Sequence, residues 1–151
     1  MRVLIVEDSA FNAFCLRRLL ESVVASISVT IVNNSQAALS FLNNYCPDIV
    51  VMDGDLGASP DEIINCNGPE LAGILLQKYP QLPIVAWSDS DTMRENFIKV
   101  FKSHGRFLNE YNTWPKVIGL ERIHKTWSYY FGEFIGGQNP SFASQTSINY
   151  Y

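Results

Sequence analysis

The chain alternates between short apolar runs and longer stretches in which apolar residues recur every three or four positions. Val3 to Val6 is the first run, and Ile27, Val29 and Ile31 follow at a spacing of two. Ile49 to Met52 is unbroken and closed by Gly54 and Gly57, and Pro83 opens a further run that ends at Ser88. Such runs read as strands, and those apolar at every position as strands covered on both faces. Between them lie helical stretches. Ser9 is placed to cap the first, whose stripe is Phe11, Phe14, Cys15 and Leu19, with Arg17, Arg18 and Glu21 opposite. Ala38, Leu39 and Leu42 give a second helix its inward face, and Pro69 sits in the first turn of a third that carries Leu71, Ile74 and Leu75. Asp89, Ser90 and Asp91 can cap a fourth, which ends at Gly105.

Beyond Gly105 the pattern thins. Phe107 and Leu108 read as a short fifth strand, and Thr113, with Pro115 just inside, as the start of a last helix. Val117, Leu120, Ile123, Trp127 and Tyr130 give that helix a long apolar stripe. From Gly132 the period disappears, although Phe134, Phe142, Tyr150 and Tyr151 make the stretch more aromatic than a linker needs. The expected organisation is one domain over residues 1–131 and a tail over 132–151. Alternating strands and helices predict an α/β fold, a five-stranded parallel sheet doubly wound by helices on both faces, with an extended last helix.

Composition narrows the function classes. A length of 151 residues, 47% of them hydrophobic and 17% charged, suits a single domain with a real core. No apolar run is long enough for a membrane span, and the start turns acidic at Glu7 and Asp8, too early for a secretory signal. The expected location is the cytoplasm, and the odd set Cys15, Cys46 and Cys66, without metal-ligand spacing, fits a reducing compartment. A formal charge of -4 offers no basic face for nucleic acid.

The candidate chemistry lies where strands end. Glu7 and Asp8 follow the first apolar run at once, and Asp53 closes the third. If those strands are parallel neighbours, three carboxylates converge on the carboxyl edge of the sheet, where open α/β sheets place their sites. Like charges that close call for a divalent cation or a raised pKa, and all-oxygen ligands favour magnesium or calcium. The plainer reading of each acid alone is a turn former or helix cap. His104 and His124 have no partner at ligand spacing and read as solvent-side helix residues.

An acid pair after the first strand, an aspartate after the third and a hydroxyl after the fourth resemble the receiver domain of two-component response regulators, chemotaxis-regulator-like though atypical. The resemblance runs from VLIVEDSAFN through PDIVVMD and PIVAWS to about Tyr130. It implies the flavodoxin-like receiver fold, with Asp53 as phosphoacceptor and Ser88 as switch hydroxyl. It also implies magnesium on Glu7, Asp8, Asp53 and the backbone carbonyl of Asp55, and Phe107 as switch aromatic. The implied partners are a histidine kinase or phosphotransfer protein and, through Thr92 to Phe131, a downstream protein or a second copy. No turnover of a free substrate is implied.

Receivers carry a lysine after the fifth strand that pairs with the phosphoryl group. Aligned on Phe107, that place falls on Glu110, and Lys102 or Lys116 is the cation that could reach in. Asp89 stands where the family prefers a small residue, Gly57 where it prefers proline, and Asp61 and Glu62 lie in a loop longer than usual. These departures define an alternative, a pseudo-receiver acting as a phosphorylation-independent interaction module. Asp53-Gly54-Asp55 also resembles the nucleophile motif of haloacid-dehalogenase-type phosphatases, but the further acid pair lies upstream rather than downstream.

Overall fold

The computed structural model describes residues 1–57 and 65–132. Its elements run β1 (Arg2–Val6), α1 (Ala10–Val23), β2 (Ser28–Val32), α2 (Ser35–Leu42), β3 (Ile49–Asp53), α3 (Gly68–Lys78), β4 (Ile84–Trp87), α4 (Asp91–Ser103), β5 (Thr113–Trp114) and α5 (Leu120–Phe131). The sheet has five parallel strands in the order β2-β1-β3-β4-β5. This is the doubly wound arrangement expected. The chain steps outward from β1 to β2 and then returns past it to β3, so the connections after β1 and β3 diverge between those two strands. A crevice opens there at the carboxyl edge.

Side-chain alternation along β1 divides the interior into two layers. Leu4 and Val6 join Val50, Met52, Ile84 and Ala86 under α2, α3 and α4, where Leu71, Leu75, Phe97 and Phe101 cover them. Val3 and Ile5 join Ile49, Val51, Val85 and Trp87 under α1 and α5, covered by Leu16, Leu20, Ile123 and Trp127.

Three local expectations are corrected. On α1 the buried residues are Ala13, Leu16, Leu20 and Val23, whereas Phe11, Phe14 and Cys15 are exposed. Two stripes of helical spacing overlap in this segment, and the small Ala13 belongs to the one that faces the sheet. The fifth strand is Thr113–Trp114, not Phe107 and Leu108, and Phe107 is 72% exposed. Accordingly the last helix begins at Leu120 rather than Thr113, and Val117, in the preceding loop, is exposed.

The reason for the later strand is visible in what holds it. The Ala86 N–H donates to the Asn112 carbonyl at 2.9 Å and the Ser88 N–H to the Trp114 carbonyl at 3.0 Å. The buried Trp114 indole N–H donates to Thr126 Oγ1 at 2.9 Å. Before the strand, Asn112 Oδ1 accepts from the Asn109 N–H and Asn112 Nδ2 donates to the Phe107 carbonyl. Burying the larger indole with its N–H satisfied outweighs burying Phe107. Residues past Gly132, Asp61 and Glu62 lie outside the described residues.

Candidate functional site

Because Val6 pairs with Met52, Glu7 and Asp53 stand side by side at the carboxyl edge of the sheet. Both are buried, and one carboxylate oxygen from each of Glu7, Asp8 and Asp53 lies within 4.8 Å of the others. Glu7 continues the sheet, its N–H donating to the Val32 carbonyl at 2.9 Å, while its Oε2 accepts from the Ser9 N–H at 3.1 Å. Ser9 in turn caps α1 by accepting from the Asn12 N–H. Asp8 faces solvent on one side. Its carboxyl is nevertheless raised above the usual range, first by partial burial and then by the hydrogen bond and charge of Glu7, with Asp55 adding to the repulsion. Asp55 itself follows β3 and accepts from the Gly57 N–H at 3.0 Å.

Glycines let neighbouring elements close on this edge. At Gly68, the first residue of α3, a Cβ would fall 2.0 Å from the Asp53 carbonyl oxygen and 2.8 Å from the Phe97 ring. The Gly68 N–H instead donates to the Gly54 carbonyl at 2.8 Å. Thus α3 begins directly behind Asp53.

On the other side stands Lys116, two residues past β5. Its ammonium pairs with Glu7 Oε1 and, at 2.8 Å, with Asp53 Oδ1. It also lies 4.0 Å from the centre of the Trp87 ring, on the ring face. The lysine place assigned to Glu110 is therefore corrected. Glu110 is exposed in the turn before β5, and the cation at the acidic cluster is Lys116. Phe107, equally displaced by the shift in strand position, does not lie on β5.

Ser88 is buried at the end of β4, next in line after Trp87, which pairs with Asp53. Its Oγ accepts from the Ser90 N–H at 3.0 Å, a local turn bond that leaves the hydroxyl proton to donate elsewhere. Arg94 on α4 donates to the Ser88 carbonyl at 2.9 Å, which ties this loop to the helix. Asp89 Oδ1 accepts from the Lys116 N–H at 2.9 Å, so the loops after β4 and β5 are joined. The sequence held a signal for Lys116: asparagines at 109 and 112 mark a turn, and Thr113-Trp114 then precedes Pro115 and Lys116.

Three carboxylates against one ammonium leave a net negative, all-oxygen cluster, and such donors suit a hard divalent cation such as magnesium. The arrangement sets a buried carboxylate, a cation beside it and a hydroxyl just past the neighbouring strand at one edge of the sheet.

Solved structures share this fold. No curated protein matches the chain. Among solved structures, the receiver domain of NtrX from Brucella abortus superposes with a TM-score of 0.66 at 19% identity, over 85% of this chain and 96% of that one. The chemotaxis response regulator CheY4 of Vibrio cholerae gives 0.62 at 19% identity, over 86% and 98%. The signal receiver domain of a modulated diguanylate cyclase from Desulfovibrio desulfuricans G20 gives 0.65 at 26% identity, over 85% and 91%. The model of the response regulator receiver domain matches residues 3–106, a span that contains Glu7, Asp8, Asp53 and Ser88 and stops before β5. With the family's sheet order and its acidic edge both present, the chain belongs to the response regulator receiver domain family.

Proposed function

We propose that Asp53 accepts a phosphoryl group from a histidine kinase or a phosphotransfer protein and that the phosphorylated chain signals through protein contact. The observation that carries this reading is the Lys116 ammonium set between Glu7 and Asp53. It supplies the positive charge that a phosphoryl group needs in the pocket, and so weighs against the pseudo-receiver on one of its grounds, a carboxylate in the lysine's place.

An Asp53 oxygen attacks phosphorus in line as the bond to the donor's leaving group breaks, and the leaving group departs with the electron pair. Glu7, Asp8, Asp53 and the Asp55 backbone carbonyl would hold magnesium, which when bound lowers the repulsion between nucleophile and phosphoryl oxygens. Lys116 stays paired at Asp53 and meets a phosphoryl oxygen as the bond forms. Ser88 turns its free hydroxyl proton toward another, drawing in the loop that Arg94 and Asp89 tie to its neighbours.

The chain then acts as a signalling domain, with no turnover of a free substrate. The free cysteines fit the cytoplasm, and no described helix is long and apolar enough to cross a membrane. Exposed Ile98, Leu120 and Tyr129 on α4 and α5 suit the surface from Thr92 to Phe131 for a downstream protein or a second copy.

Incubation with magnesium and a small acyl-phosphate donor, read by intact-protein mass, tests the proposal. The parent gains one phosphoryl group and Asp53→Asn gains none. A folded parent that binds magnesium and gains nothing would overturn the proposal in favour of the pseudo-receiver.

A further inference from the structure

Trp87 holds Lys116 at both ends. The ammonium lies 4.0 Å from the ring centre, and the indole N–H donates to the Lys116 carbonyl at 3.3 Å. Trp87 is itself 2% exposed, fixed in β4 beside Asp53, and covalently next to Ser88. A lysine stem is flexible and its ammonium a point charge, so its aim must come from its surroundings. A ring face attracts the ammonium electrostatically without serving as a lone-pair acceptor, which leaves its N–H donors for Glu7, Asp53 and an incoming oxygen. Asp89, on the far side of Ser88, takes the Lys116 N–H, so both neighbours of Ser88 grip one lysine.

We infer that Trp87 is a positioning residue for phosphoryl transfer, aiming Lys116 at Asp53 and linking it to the movement of Ser88. The catalytic consequence rests on Asp53 being the phosphoacceptor, while the placement of Lys116 does not. The first arm of the test is therefore proton NMR of the unphosphorylated parent, with the Lys116 ε-methylene signal assigned by its loss in Lys116→Met. A ring face at this distance shifts that signal upfield of Lys99, Lys102 and Lys125, and coincidence with them would overturn the inference. The second arm compares initial rates with a small acyl phosphate. Trp87→Phe keeps a ring face and stays within about threefold of the parent, whereas Trp87→Leu falls about tenfold with magnesium affinity unchanged in both. Equal rates for parent and Trp87→Leu, or equal loss in both variants, would overturn it. If Trp87→Leu does not fold, the upfield shift and the Trp87→Phe rate decide. A parent that shows the shift but takes no phosphoryl group contradicts the proposed function and leaves the positioning intact.

Discussion

Lys116 answers a charge problem that Glu7 and Asp53 create. Glu7 is 2% exposed, and Lys116 is the cation paired with it. Lys116→Met should cost about 2 kcal/mol at neutral pH in urea denaturation, below the loss for a fully buried pair because the lysine side chain keeps 20% exposure. Glu110→Lys should leave stability within about 0.5 kcal/mol and phosphorylation unchanged, since Glu110 is a surface turn residue. Asp8 titrates in the opposite sense from a paired acid. Its carboxyl is raised, so the folded chain binds that proton more tightly than the unfolded one. Its charge therefore destabilises the metal-free fold as pH rises through the usual carboxylate value to the raised one, and the penalty is complete above that. Asp8→Asn should raise the melting temperature in chelator at pH 7, lose that advantage below the usual carboxylate value, and weaken magnesium binding.

Among the elements, the two-residue β5 depends most on side chains. Trp114 reaches Thr126 on α5, whose hydroxyl donates to the Tyr111 carbonyl at 2.5 Å. Thr126→Val leaves a buried indole N–H unpaired and should cost about 1.5 kcal/mol. It should also reduce phosphorylation, because Lys116 lies only two residues past β5. At the start of α3, Gly68→Ala would push a Cβ into the Asp53 carbonyl and should cost about 2 kcal/mol or more, with Asp53 displaced as well. Strands β1, β3 and β4 were legible in the sequence because burial on both faces makes them continuously apolar, and the site residues Glu7, Asp53 and Ser88 could be read from their ends. A strand of two residues has no period to read, so tertiary pairing alone fixes its place. Phe107 is the nearer apolar residue in the sequence, and a strand placed there carries both the aromatic and the lysine positions away from where they fold. The α1 stripe failed differently: its exposed phenylalanines have the same helical spacing as its buried face.

At the scale of the molecule, the strand order puts the divergence of chain direction between β1 and β3, and the acidic cluster stands at that point. The loops after β4 and β5 close it from one side through Ser88, Asp89 and Lys116, and α3 supports it from behind through Gly68. A charge added at Asp53 is thus felt by two loops that lead into α4 and α5, the helices that carry Ile98, Leu120 and Tyr129 outward. The most direct test of Asp53 as phosphoacceptor is chemical localisation. After phosphorylation with magnesium and a small acyl phosphate, borohydride reduces an aspartyl phosphate to homoserine, which peptide sequencing by mass spectrometry can place. Homoserine at position 53 alone is the predicted result; homoserine at position 8, at position 55 or nowhere would contradict it.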